Sequence, residues 1–91
     1  GLDLNMRSTE ITIQHAEGVH TRPASIFVRE AAKFKSEVSL TCDNLTVNGK
    51  SIMGLLMLAM GPGAVVTISA EGADEDAAVS VLTSILTGEF Q

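Results

Sequence analysis

The chain has 91 residues, enough for one hydrophobic core and too few for a catalytic domain with a separate cofactor domain. Six Lys+Arg against eleven Asp+Glu give a formal net charge of −5, which repels phosphate backbones and anionic lipid heads and excludes nucleic acid as an expected partner. With 45% hydrophobic and 19% charged residues, the composition is that of a packed soluble domain rather than a disordered chain.

Residues 1–7 show no apolar periodicity and read as a flexible leader, which leaves residues 8–91 as a single domain. No basic n-region followed by an apolar h-region stands before the patterned chain, so a cytoplasmic location is expected. Residues 8–15 alternate, with Ile11 and Ile13 on one face and Glu10, Thr12 and Gln14 on the other, the period of a strand. Glu17-Gly18 breaks the pattern. From Thr21 to about Phe34, Ala24, Phe27, Val28 and Ala31 recur at three and four, which predicts an amphipathic helix that Pro23 can help to open.

Val38, Leu40 and Cys42 alternate with Glu37, Ser39 and Thr41; Leu45 and Val47 alternate again after Asp43-Asn44, a pair suited to a tight hairpin. Cys42 is the single cysteine and has no intramolecular disulfide partner. Asn48-Gly49 closes the hairpin, Ser51 stands as an N-cap, and residues 52–60 predict a second helix stopped by Gly61-Pro62-Gly63. This run is about half the length of a membrane span, so no membrane insertion is expected. Residues 64–70 form a β-branched, alternating segment, and Gly72 turns the chain. Asp74-Glu75-Asp76 then loads the positive end of a third helix with the stripe Ala78, Val81, Leu82, Ile85 and Leu86 and with Gly88 at its C′ position. The order βαββαβα predicts an α+β open-faced β-sandwich, a four-stranded antiparallel sheet covered on one face by three helices.

Three features exceed what a core needs. On a helical wheel Arg22, Ile26, Arg29 and Lys33 fall together opposite the buried stripe, a local basic face on an acidic protein. Charges on a solvated face account for this arrangement, and so does docking to an acidic partner. The second predicted helix is apolar nearly all round, which a two-layer domain cannot bury, so part of it is a candidate partner surface. His20 directly precedes the first helix, where backbone N–H groups lack intrahelical acceptors. A phosphoryl group on its imidazole would face those donors with Arg22 beside it, though by residue types alone a lone histidine before a helix is more often a capping or surface residue. Ser51 has the same double reading, as an N-cap or as a phosphosite whose charge would sit beside Ile52, Met53 and Leu56. His15, His20 and Cys42 have no recognised metal-ligand spacing, and no nucleophile-elbow signature is present; neither a metal nor another cofactor is expected.

The run Gly18-Val19-His20-Thr21-Arg22-Pro23-Ala24, with Gly49-Lys50-Ser51-Ile52-Met53-Gly54 downstream, resembles HPr, the histidine-containing phosphocarrier family of the bacterial phosphoenolpyruvate-dependent sugar phosphotransferase system. The resemblance implies that His20 accepts a phosphoryl group from phosphorylated enzyme I and passes it to IIA components of sugar permeases, with Arg22 stabilising the phosphate. It implies regulatory phosphorylation of Ser51 by HPr kinase/phosphorylase, recruitment of a transcriptional corepressor partner, and a docking surface of Thr21, Ile26, Arg29, Ile52, Met53 and Leu56. It makes the chain a transfer intermediate whose catalysis is supplied by partners, and a monomer is the expected state. A regulatory module acting mainly through phospho-Ser51, or a carrier in a nitrogen-related phosphorelay, are the alternatives.

Overall fold

The computed structural model describes residues 6–16, 18–19 and 21–88. The chain runs β1 (Met6–Thr12), α1 (Thr21–Ala31), β2 (Glu37–Cys42), β3 (Leu45–Asn48), α2 (Ile52–Met57), β4 (Val65–Glu71) and α3 (Glu75–Leu86). All strand pairs are antiparallel, in the order β1-β4-β2-β3. The expected α+β sandwich and its βαββαβα order are therefore observed.

The alternating residues decide which sheet face is dry. Register aligns Thr9, Ile68, Leu40 and Val47 in one cross-strand row and Glu10, Thr67, Thr41 and Thr46 in the next. The first row and its neighbours Val66, Ala70 and Val38 lie under the helices, with Ile68 and Leu40 fully buried. The second row faces the other way, and the Thr41 and Thr46 hydroxyls join across the hairpin at 2.8 Å. Asp43 and Asn44 both take positive φ, 52° and 68°, as the two-residue hairpin loop requires; short polar side chains that bond locally tolerate that region. On the dry face α1 lies between α2 and α3, which cover β3 and the β1–β4 pair respectively.

Element boundaries and one helix face differ from the sequence-based expectation, beginning with the end of β1, which stops at Thr12 rather than His15. β1 begins at Met6, inside the predicted leader, with Met6 opposite Glu71 and Arg7 opposite Ala70. Met6, Arg7 and Ser8 are all exposed on this edge strand, so burial left no alternation there to read; residues 1–5 lie outside the described residues. α1 stops at Ala31 rather than near Phe34, because the following turn is tied elsewhere: Lys35 N and Ser36 N donate to the Asp74 carboxylate at 2.8 and 3.0 Å. α2 ends at Met57, not Met60. Leu58 is extended (φ −80°, ψ 139°), so Leu58 and Met60 both point inward with Ala59 outward; a continued helix would have set the two about 200° apart and left one in water. In α3, Val79 is buried in place of Val81, which is 38% exposed.

Asp74 precedes α3 but makes no side-chain cap bond; its carboxylate serves the α1–β2 turn instead. The hydroxyl of fully buried Ser36 donates to it, and with the Lys35 and Ser36 amides this holds the Asp74 pKa at about 2, below its ordinary 3.8. Because the folded value is the lower one, this contribution to stability is present above about pH 4 and is lost as pH falls through about 2. Urea melts of wild type and Asp74→Asn should therefore differ most at neutral pH and converge between pH 4 and 2; a gap unchanged with pH would show that ionised Asp74 does not hold the turn.

Candidate phosphotransfer site

The site is built at the start of α1. Its first residue, Thr21, directly follows His20, which lies outside the described residues, as does Glu17. The first helical turn offers backbone N–H groups without intrahelical acceptors, and Pro23, buried in that turn, offers none to lose. Thr21, Arg22 and Arg29 are exposed and Ile26 is half-buried, so the basic face read from the wheel is present in solvent. Lys33 lies beyond the helix and pairs with Glu30 at 3.0 Å, whereas Arg22 and Arg29 make no ion pair among the described residues. Arg22 and Arg29, about two turns apart on one helix face, can each receive an anionic group bidentately.

Ser51 is the N-cap of α2, as expected: its backbone is extended (φ −117°, ψ 117°) and its Oγ accepts from Gly54 N at 3.1 Å. Two residues outside the expected site hold it there. Asn48 accepts from Ser51 N through its carbonyl at 3.1 Å and from Lys50 N through Oδ1 at 2.8 Å. Lys50 Nζ donates to the Phe34 carbonyl, 2.8 Å away, tying the start of the α2 segment to the end of the α1 turn. Asn48-Gly49 was legible as a turn, but nothing in the local pattern shows where the Lys50 side chain goes.

Of the expected docking residues on α2, Met53 and Leu56 are 73% and 48% exposed, while Ile52 is half-buried against the core. Met57, 67% exposed, completes the patch. Residues 53, 56 and 57 follow i, i+3, i+4 spacing and so share one helical face, the signal that places Met57 with the other two. Leu55, on the opposite side, is fully buried. Cys42 is also buried, and burial pushes its thiol pKa up, away from nucleophilic use.

Residues 7–87 match the family model described as PTS-HPr, the PTS HPr component phosphorylation site. The chain belongs to the HPr phosphocarrier family. The phosphocarrier protein HPr of Neisseria meningitidis is 44% identical over 85 residues, covering 93% of this chain and 96% of that protein. Among solved structures, HPr of Thermoanaerobacter tengcongensis superposes with a TM-score of 0.86 at 42% identity, covering 92% of this chain and 94% of that one. The Bacillus subtilis catabolite repression protein Crh, solved as a swapped dimer, superposes with a TM-score of 0.75 at 41% identity over 89% and 93% of the two chains. In this HPr-family chain the exposed Arg22, the start of α1 and the α2 patch lie within the matched span.

Proposed function

We propose that this HPr-family chain is a phosphocarrier in which His20 accepts the phosphoryl group of phosphorylated enzyme I and hands it to IIA components of sugar permeases in the cytoplasm. The observation that carries the reading is the family match across residues 7–87 with His20 immediately before the open N-terminal turn of α1. In each transfer a neutral ring nitrogen attacks phosphorus, one P–N bond breaks on the donor, and one forms on the acceptor. Arg22 and the helix N–H donors offset the arriving charge. An exposed helix end contributes only about 0.3–1 kcal/mol to such a group, which suits a carrier that must release what it holds.

Ser51 is the proposed regulatory site, phosphorylated by HPr kinase/phosphorylase. A phosphate there would add roughly −2 charge beside Met53, Leu56 and Met57, changing docking at an apolar patch more than it changes the fold. The partners that dock, enzyme I and the IIA components among them, would meet this patch together with Thr21, Ile26 and Arg29, and the catalytic groups of each step would be theirs. A corepressor that reads phospho-Ser51 would use the same surface. A module acting mainly through Ser51 is the second reading, and the similarity to a protein named for catabolite repression accords with a regulatory role.

Intact mass separates the two. After incubation with enzyme I and phosphoenolpyruvate, a carrier gains one phosphate that brief acid removes; after HPr kinase and ATP, the added phosphate survives acid. Uptake in the second reaction alone would overturn the carrier reading in favour of the regulatory module.

A further inference from the structure

The segment leading into α1 does not hang free from its helix. Val19 N donates to the Met60 carbonyl at 2.8 Å, and Gly18 N donates to the His15 carbonyl at 3.0 Å. Gly18 sits at φ +70°, and a Cβ added there would stand 2.6 Å from the Met60 carbonyl oxygen and 2.8 Å from Gly61 Cα. Both neighbours are backbone atoms, which cannot swing aside as the end of a side chain can. Met60 is itself anchored, 3% exposed in the core and three residues beyond the last turn of α2. His20 is covalently held between Val19, fixed on this backbone seat, and Thr21, fixed in α1.

We infer that the Met60 carbonyl is the positioning element for the phosphoacceptor loop and that Gly18 is a positioning residue for phosphoryl transfer, its missing side chain letting Val19 seat and so setting where His20 stands. The inference rests on the proposed role of His20. Its mechanism is geometric: in-line attack on phosphorus needs the acceptor nitrogen within a near-attack distance, and displacement of about 1 Å costs up to about a hundredfold in rate. The seat also joins two parts of the surface. Met60 stands three residues after Met57, so the loop is joined to the exposed α2 patch through a short segment anchored by buried Leu58 and Met60.

The test compares Gly18→Ala with Gly61→Ala. A Cβ at Gly61 meets nothing within 4 Å, so this neighbouring substitution serves as the silent control. With phosphorylated enzyme I as donor, Gly18→Ala should lower the saturated transfer rate by about tenfold to a hundredfold while the apparent KM changes far less; Gly61→Ala should transfer as wild type does. Equal losses in the two variants, a loss confined to KM, or a folded Gly18→Ala with wild-type kinetics would each overturn the inference. In the wild-type chain the Val19 amide should resist hydrogen exchange and show scalar coupling to the Met60 carbonyl carbon. A rapidly exchanging, uncoupled Val19 amide would overturn the seat even if Gly18→Ala fails to fold. A wild-type chain that takes up no acid-labile phosphate would overturn the proposed function and this inference together, whereas the other negative outcomes leave the carrier reading standing.

Discussion

His20→Ala is expected to take up no acid-labile phosphate from enzyme I and phosphoenolpyruvate, because the variant offers no imidazole nitrogen at the start of α1 to form the P–N bond. The expected fall is to background, not a graded loss, since removing the acceptor removes the reaction. Arg22→Ala should give the graded result. Its guanidinium is exposed and makes no ion pair among the described residues, as its proposed contact with the phosphate in both transfers requires. A charge-assisted contact of about 1.5–3 kcal/mol corresponds to a slowing of about tenfold to more than a hundredfold. Ser51→Ala should retain phosphate uptake and lose only about 1 kcal/mol of stability, because the Gly54 N–H loses its capping acceptor. The measurement is intact mass before and after acid. Acid-labile phosphate on His20→Ala would place the acceptor elsewhere and overturn the assignment.

Phe27→Ala and Met53→Ser should separate what holds the molecule together from what its surface does. Phe27 is fully buried on α1 against the sheet core, and truncating it removes apolar contact and opens a cavity that close-packed neighbours refill only in part. The expected cost is about 3–5 kcal/mol. For a domain of this size that lowers Tm by roughly 15 °C or more, enough to threaten folding at physiological temperature. Met53 is also apolar but 73% exposed, so Met53→Ser should stay within about 0.5 kcal/mol of wild type. Its effect should appear in binding, as a weaker complex with the proposed partners at unchanged transfer chemistry. Thermal melts and titration calorimetry check the pair. If Met53→Ser were as destabilising as Phe27→Ala, the α2 face would be core, and the docking role assigned to it would fail.

Regular periodicity was legible wherever one face of an element is dry and the other wet. Val38, Leu40 and Cys42 on β2 and Val66, Ile68 and Ala70 on β4 alternate in sequence because every second side chain enters the core. Asp43-Asn44 and Ser51 were legible because their local chemistry, left-handed backbone in one case and a hydroxyl acceptor in the other, needs no distant partner. Edge residues escaped this logic: Met6 and Arg7 pair with β4 but both remain exposed, so no alternation marks them. Helix ends escaped it too, since α1 and α2 stop where distant groups or inward side chains claim the chain.

The sequence by itself determined the element order, the dry face of each strand and the motif containing His20, Arg22 and Ser51, because these follow from periods and contacts only a few residues long. Only the tertiary structure decided which residues brace that motif. Lys50 reaching the Phe34 carbonyl, Asp74 gathering the Lys35 and Ser36 amides, and the Met60 carbonyl receiving Val19 are bonds to main-chain groups far along the chain. Every residue except proline carries the same main-chain donor and acceptor, so side-chain identity cannot announce such partners. They are selected by the packing that brings α1, α2 and the turn before α3 onto one face of the sheet.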